Sequence, residues 1–378
     1  MAIVTTLYKW QYHTRQWYAG RMRSLGQKAS NGPVTKDAPR RVLLIVTGLI
    51  GDTVMSTPVI VESRRLWPQA WITLLGNRQT CDLLSGCPLL DACVETPAIP
   101  FTLRNRRKVA ELERWLREQS FDVAIILLGD QFAQVLADAQ IPIRVGVRGH
   151  VLAPFLTATH DIGSPKDWGP QERLGALRAL GHDVRNVMPS LWVSDDARSA
   201  AQRRLSELGL PEGVDYAVVH PFGSTPAQWW PPDRAAELAE ALRREHGLWT
   251  IVIGGPETRG KLGTAPRYTI DATGAFTIGE LMAAIENARL VISTDSGPFH
   301  IAGALRRPLV GLFRARRPEH AGRYPLAKVV FGQEPACSRQ CQWNRCKELP
   351  CRQLNALSVG GILNAIRDCM IEEAPASS

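Results

Sequence analysis

A short apolar run that ends in a glycine-rich turn constrains the fold of this chain most strongly. The run Arg41-Val-Leu-Leu-Ile-Val46 is rich in β-branched residues, as expected of a parallel strand covered on both faces. Gly48 and Gly51 then allow the backbone to turn tightly and to approach a ligand. The following residues are typical of a helix, with Asp52 at or next to its N-cap. The sequence therefore predicts a strand–turn–helix unit of an α/β protein.

Two roles are open for Asp52. An aspartate at the start of a helix accepts backbone N–H bonds and complements the helix dipole without any catalytic duty. A carboxylate at the carboxyl end of a parallel strand can also act as a general base. The turn alone does not decide between these roles.

A second strand–turn–helix pattern lies far downstream, from Leu290 to Ala304. Polar residues follow its strand, where ligands bind in open α/β sheets. They are Thr294, Asp295, Ser296 and Gly297. A helix beginning at Gly297-Pro298 would direct free N–H groups towards phosphate oxygens, and proline suits its first turn because it lacks the unused donor.

Four short motifs occur in a fixed order along the chain. They are Gly51-Asp52 with Thr57-Pro58, Val219-His-Pro-Phe-Gly-Ser224, Gly254-Gly-Pro-Glu257 and Asp295-Ser-Gly-Pro-Phe-His300. Together they resemble glycosyltransferase family 9, the ADP-heptose:lipopolysaccharide heptosyltransferases, from Arg41 to about Met370. The second, third and fourth motifs are similar to the family's "HPG", "GGPxE" and "DSGPxH" patterns.

Alternating strand and helix patterns predict parallel sheets. The expected strands are 71–75, 123–128 and 143–147, which closes the first sheet, and then 216–220, 250–254, 290–293 and 308–313. Asp195 and Asp196 are the expected cap of a helix that runs to about Gly209.

The resemblance implies the α/β GT-B fold, with two Rossmann-like domains whose parallel sheets face each other across a cleft. The expected segments are a basic aromatic tail at 1–39, an acceptor-side domain at 40–193, a nucleotide-sugar-binding domain at 194–355 that includes a cysteine-rich segment at 337–351, and a C-terminal helix and tail at 356–378.

The resemblance implies inverting transfer of heptose from ADP-heptose to a lipopolysaccharide-core acceptor, with Asp52 as general base and no cofactor needed for catalysis. It also implies a set of donor-binding residues, namely Gly51, Ser224, Gln228, Glu257, Thr294, Asp295, Ser296, Gly297 and His300. Simpler roles stay open for three of them. Asp295 also suits an N-cap, His300 a packed helix position and Glu257 an exposed loop.

One residue departs from the family pattern. Family members often carry Lys-x-Trp-Pro after the "HPG" strand, where the lysine meets phosphate, and this chain has Gln228-Trp-Trp-Pro231. Loss of a charge-assisted hydrogen bond costs roughly 1.5–3 kcal/mol. Arginine binds phosphate bidentately, so we expect compensation from Arg314, Arg316 or Arg317, which follow a predicted strand where the family usually has an uncharged turn.

The eight cysteines include a dense group near the C-terminus. Cys337, Cys341, Cys346 and Cys351 are candidate ligands for a structural Zn or Fe ion, although the usual C-x2-C spacing is absent. Cysteine-rich tails recur in the family, and some protein-modifying relatives hold iron there. We interpret Cys81, Cys87, Cys93 and Cys369 as reduced thiols of a cytoplasmic protein.

The first 40 residues carry seven lysines and arginines and one aspartate, so they hold six of the nine net positive charges. Tyrosines and tryptophans are interleaved with these charges, which suits binding to an anionic membrane surface. A disordered arm or a tail packed on its own protein is equally compatible. We expect no signal peptide, because residues 1–30 are interrupted by arginines and lack an apolar core, and we find no run of 18 apolar residues and no recognised nucleic-acid motif. We expect a cytoplasmic enzyme at the inner face of the inner membrane.

Two other functions are compatible with this fold. In the first, the enzyme transfers the sugar to a protein side chain or to another glycan. In the second, the chain is a degenerate member of the family that binds a sugar nucleotide without transferring the sugar. The presence of Asp52 argues against the degenerate member, whereas Gln228 leaves it open.

Overall fold

A computed structural model describes residues 38–96, 105–150, 152–161, 169–314, 323–332, 337, 349 and 351–373 of the chain. The chain forms two compact units, and the main change from one to the other lies between Val187 and Met188. Each unit contains one six-stranded parallel sheet. Residues 1–37, which make up nearly all of the N-terminal tail with its expected membrane contact, lie outside the described residues.

The first unit is a Rossmann-like sheet of six parallel strands. They are β1 (Arg41–Val46), β2 (Trp71–Gly76), β3 (Ala92–Glu95), β4 (Val123–Leu128), β5 (Ile143–Val147) and β6 (Ala158–His160). Their spatial order is β3-β2-β1-β4-β5-β6. The helices are α1 (Ile50–Leu66), α2 (Arg78–Leu84), α3 (Arg106–Gln119), α4 (Phe132–Asp138), α5 (Gly169–Arg173) and α6 (Gly175–Arg178).

Burial on both faces explains the composition of the central strands. In β1, Val42 lies between Ile72 of β2 and Val123 of β4, and all three are fully buried. Such strands need apolar side chains at successive positions rather than alternate ones. The predicted strand at 41–46 is therefore confirmed at both ends.

The second unit repeats this arrangement. Its strands are β7 (Tyr216–His220), β8 (Trp249–Val252), β9 (Thr269–Asp271), β10 (Leu290–Thr294), β11 (Leu309–Arg314) and β12 (Ala327–Gly332), in the spatial order β12-β11-β10-β7-β8-β9. The helices are α7 (Asp195–Glu207), α8 (Pro232–His246), α9 (Ile278–Glu286), α10 (Gly297–Ala304), α11 (Arg352–Asn355) and α12 (Val359–Glu373). Short 3-10 turns cover Pro226–Gln228 and Pro256–Thr258.

The strand order reverses once in each sheet, between β1 and β4 and between β7 and β10. The connections leave these neighbouring strands in opposite directions, which opens a crevice beyond their carboxyl ends. Asp52 follows β1, and Ser296 follows β10. The topology therefore brings both sequence motifs to the ligand-binding edge of their own sheets.

Three expectations about the elements are wrong. Strand 143–147 does not close the first sheet, because β6 adds a further parallel strand at its edge. Ser194, rather than Asp195 or Asp196, caps α7 by accepting the Ala197 N–H at 3.2 Å. Cys81 and Cys93 are joined in a disulfide, with Cα atoms 5.7 Å apart, so they are not reduced thiols.

No helix within the described ranges is both long and apolar enough to cross a bilayer. Cys87 and Cys369 are buried, and their interpretation as reduced thiols stays a prediction.

The contact between β12 and α11 depends on a glycine. A Cβ built on Gly332 would overlap the backbone carbonyl of Gln353 and would lie 3.0 Å from its Cα. Gly332→Ala is therefore expected to lower the free energy of unfolding by about 1–3 kcal/mol, as overpacking does. Urea unfolding followed by circular dichroism measures this change.

Gly360→Ala is the matched control. Gly360 lies in α12, is exposed and has no neighbour that an added Cβ would meet. Alanine favours a helix over glycine, so the control is expected to raise the free energy of unfolding by up to about 1 kcal/mol. Equal effects of the two substitutions would show that the β12–α11 contact is not tight.

Candidate functional site

Asp52 lies near the start of α1 but is not its cap. Helix α1 begins at Ile50 with Leu49 as N-cap, so Asp52 occupies the third helical position. Its Oδ2 accepts the Leu49 N–H at 3.3 Å. Asp52 thus lies three positions after the N-cap, and the expectation that it is at or next to the cap is wrong. The carboxylate still meets the first turn of the helix, where negative charge is favourable.

Gly48 makes room for this carboxylate. A Cβ on Gly48 would overlap the Leu128 side chain and would lie 2.8 Å from Asp52 Cβ. Asn77 holds the same turn by donating from Nδ2 to the Gly48 carbonyl at 2.8 Å. Gly51, which we expected to bind the donor, is the second residue of α1 in the first unit. The turn thus depends on its glycine for close approach rather than for an unusual φ.

Arg173 contacts Asp52 from a distant part of the chain. Its Nη2 donates to Asp52 Oδ1 at 3.1 Å. The side chain of Arg173 is 13% exposed and that of Asp52 is 31% exposed. Sequence reasoning missed Arg173, because nothing in the local pattern around α5 indicates a partner 121 residues away.

In the second unit, His220 and Ser296 connect the two strands at the reversal point. His220 ends β7, and its Nδ1 lies 2.9 Å from Oγ of Ser296, the N-cap of α10. Ser293 Oγ lies 3.1 Å from the same hydroxyl. Burial lowers the pKa of His220 to about 3, so the imidazole is neutral at physiological pH. This network fixes the start of α10 against β7.

The predicted donor residues of the second motif lie around that helix start. Thr294 is buried and donates from Oγ1 to the Phe222 carbonyl at 2.6 Å, so its hydroxyl joins the end of β10 to the segment after β7. Asp295 is exposed, and it is not the cap, because Ser296 holds that position. Gly297 begins α10, as predicted.

His300 is buried within α10. Its Nδ1 lies 3.1 Å from the hydroxyl of Tyr324, which is also buried. A Cβ on Gly303 would overlap the Tyr324 ring, so the glycine allows the tyrosine to reach the helix. The packed-helix interpretation describes the surroundings of His300, and Tyr324 is a partner that no sequence motif indicated.

Gln228 is buried and uses its amide oxygen within its own turn. Oε1 accepts from Ser224 Oγ at 2.6 Å and from the Thr225 N–H at 3.1 Å. A backbone N–H only donates, so this contact fixes which amide atom faces the turn. Gln228 therefore holds the loop that follows β7, together with Ser224.

Two of the remaining predicted residues, Glu257 and Arg314, lie at the same sheet edge. Glu257 is exposed in the 3-10 turn after β8, and Arg314 is the half-buried last residue of β11. Arg316 and Arg317 lie outside the described residues. Parallel strands place all their carboxyl ends at one edge, so Glu257 and Arg314 share that edge with Ser224 and Ser296.

The predicted metal ligands are only partly described. Cys337 is half-buried and Cys351 is buried, whereas Cys341 and Cys346 lie outside the described residues. The part of the chain that the structure covers contains no cluster of three or more histidine, cysteine or acidic side chains suited to a metal ion. The cysteine-rich metal site stays a prediction.

Comparison with known proteins identifies the same family that the four sequence motifs resemble. The chain matches the model of glycosyltransferase family 9 (heptosyltransferase) over residues 109–351, more than half of its length. It is 26% identical over 287 residues to lipopolysaccharide heptosyltransferase 3 of Escherichia coli K12. The alignment covers 70% of this chain and 80% of that relative.

Two solved structures show the same architecture. The family 9 glycosyl transferase of Veillonella parvula aligns with a TM-score of 0.77 and 20% identity, over 90% of this chain and 100% of that one. The E. coli ADP-heptose lipopolysaccharide heptosyltransferase II aligns with a TM-score of 0.71 and 21% identity, over 88% and 99%. The protein is a glycosyltransferase with the α/β GT-B fold, which confirms the predicted fold class. It belongs to glycosyltransferase family 9.

The buried His220 predicts a pH dependence of stability. Between its unfolded pKa of about 6.5 and its folded pKa of about 3, the unfolded chain binds a proton that the folded chain does not. Stability therefore falls as the pH drops below 6.5, and this group has no effect above that pH. His220→Asn is expected to reduce the slope by up to about 1.4 kcal/mol per pH unit.

Urea unfolding of the parent and the variant at pH 7, 6 and 5 measures the two slopes. Comparison of slopes removes any constant loss of stability that the substitution itself causes. Identical slopes would contradict a neutral, buried His220.

Proposed function

We propose that this protein transfers heptose from ADP-heptose to a lipopolysaccharide-core acceptor with inversion at the anomeric carbon. The carboxylate of Asp52 carries the proposal, because it lies at the ligand-binding edge of the first sheet and is partly accessible. Family membership supports glycosyl transfer, and the relatives compared above are named for lipopolysaccharide and ADP-heptose.

The proposed reaction is a single displacement. The acceptor oxygen forms a bond to the anomeric carbon while the bond from that carbon to the diphosphate oxygen breaks, and ADP leaves. Asp52 takes the proton of the acceptor hydroxyl. An ionised carboxylate has about four lone-pair positions, and Leu49 N–H and Arg173 each use one. Room therefore remains on the carboxylate for the acceptor hydroxyl.

The donor binds to the second unit in this proposal. The first N–H groups of α10 and its dipole suit the diphosphate, and Arg314 adds a positive charge at the same sheet edge. Glu257 would accept hydrogen bonds from ribose hydroxyls, as a carboxylate does well. The reaction as written needs no metal or other cofactor.

The proposed place of action is the cytoplasmic face of the inner membrane. The basic aromatic tail would hold the enzyme at an anionic lipid surface, near a lipid-linked acceptor. Transfer to a protein or another glycan, and binding without transfer, are the alternatives that the assays below distinguish.

The first test replaces the proposed base. Asp52→Asn keeps the shape of the side chain but removes its charge and its basicity, so turnover is expected to fall by about 100-fold or more, the usual contribution of a general base. ADP release and mass spectrometry of a heptose-deficient core acceptor measure turnover, and calorimetry measures ADP-heptose binding, which should persist. Glu95→Gln is the control, because Glu95 is an exposed carboxylate at the end of β3 on the same sheet edge.

Full turnover by Asp52→Asn would disprove its role as base. Donor binding with no transfer to any acceptor by the unaltered protein would favour the degenerate binding protein, and transfer to a protein or another glycan alone would identify a different acceptor.

The second test concerns the leaving diphosphate. Because Gln228 is neutral, the proposal needs another cation, and Arg314, Arg316 and Arg317 are the candidates. At least one arginine-to-alanine change among these is expected to weaken ADP-heptose binding by about tenfold, the effect of one charge-assisted hydrogen bond. Calorimetry measures the dissociation constants.

Arg289→Ala is the matched control for these arginines. Arg289 is exposed and precedes β10, at the opposite edge of the same sheet. Unchanged donor binding in all three alanine variants would rule out compensation by this segment.

A further inference from the structure

We propose that Arg173 is a positioning residue that holds the carboxylate of Asp52 in the orientation needed for proton transfer. This inference rests on the proposed function, in which Asp52 is the base. It adds a residue that none of the four sequence motifs contains and that comes from the end of α5.

Two hydrogen-bond donors fix the orientation of the Asp52 carboxylate. Arg173 Nη2 donates to Oδ1 at 3.1 Å, and the Leu49 N–H donates to Oδ2 at 3.3 Å. Because the two donors bind different oxygens, rotation of the carboxylate about its Cβ–Cγ bond would break at least one contact. The orientation of the base is thus fixed before an acceptor arrives.

Burial distinguishes the two partners of this ion pair. The Arg173 side chain is 13% exposed, whereas that of Asp52 is 31% exposed. The arginine therefore supports the carboxylate from the protein side and leaves part of it accessible. An ion pair of two well-exposed side chains contributes little, but a partly buried pair keeps its geometry because solvent screens it less.

The surroundings of Arg173 are shaped to admit its guanidinium. A Cβ on Gly169 would lie 2.9 Å from Arg173 Nη1 and 3.0 Å from Met55 Sδ. Met55 lies in α1, one turn after Asp52. The absence of a side chain at Gly169 therefore lets the guanidinium pass beside α1 and reach the carboxylate.

Arg173 acts through Asp52 rather than on the proton itself. A guanidinium stays protonated in proteins, so it has no acceptor for the hydroxyl proton. While a free lone pair of Asp52 takes the proton, Arg173 continues to donate to Oδ1 and the base keeps its position.

The test removes the guanidinium and then supplies it again. Arg173→Ala is expected to lower kcat by about 10- to 100-fold at saturating ADP-heptose and acceptor. Displacement of a catalytic group by about 1 Å can lower the rate by up to about 100-fold. The dissociation constant of ADP-heptose should not change. Free guanidinium at low, non-denaturing concentration should restore part of kcat, whereas sodium chloride at equal ionic strength should not.

Two further variants complete the design. Arg178→Ala is the matched control, because Arg178 is a neighbouring arginine of α6 that donates to the Gln171 carbonyl and Asn186 Oδ1 instead. Arg173→Lys keeps the charge without the planar fork and should fall between the parent and the alanine variant. If Arg173→Ala does not fold, the kcat of the lysine variant relative to the parent decides the question.

The outcomes separate this inference from the proposed function. Full turnover by Asp52→Asn overturns the base assignment and the positioning role with it. Loss of turnover in Asp52→Asn together with an unchanged kcat in Arg173→Ala overturns only the positioning role. A raised KM for the acceptor with unchanged kcat would also overturn it, because Arg173 would then bind the acceptor.

Discussion

The reversal of strand order in each sheet is the constraint on which the site depends. β1 lies beside β4, and β7 lies beside β10, with connections that leave in opposite directions. This divergence opens a crevice beyond the carboxyl ends of the strands, and the helices that follow β1 and β10 begin there. Asp52 lies at one such place and Ser296 at the other. The chemistry proposed for each unit follows from these two positions.

Local sequence predicted the parts of the site that local backbone creates. The glycine turn before Asp52 and the proline-bearing start of α10 depend on residues within one turn of each other, so their patterns are visible in the sequence. Arg173 and Tyr324 are not visible in this way, because they reach Asp52 and His300 only after the chain has folded. The short strand β9 is not recognisable in the sequence, since three residues give too little periodicity.

Gln228 shows how one substitution changes the electrostatics of an otherwise retained loop. Its amide oxygen accepts from Ser224 and the Thr225 N–H, so the side chain stabilises the turn after β7. An ammonium group offers no acceptor for those donors, which means that lysine and glutamine would hold this loop differently. The neutral loop increases the importance of positive charge elsewhere at the same edge, where Arg314 ends β11.

The anomeric configuration of the product tests the central claim most directly. The unaltered enzyme would be incubated with ADP-heptose and a heptose-deficient lipopolysaccharide core, and NMR of the new linkage would give its configuration. A single displacement assisted by Asp52 predicts a configuration opposite to that of the donor. Retention of the donor configuration would require a different mechanism and would contradict the role of Asp52 as the base of a direct displacement.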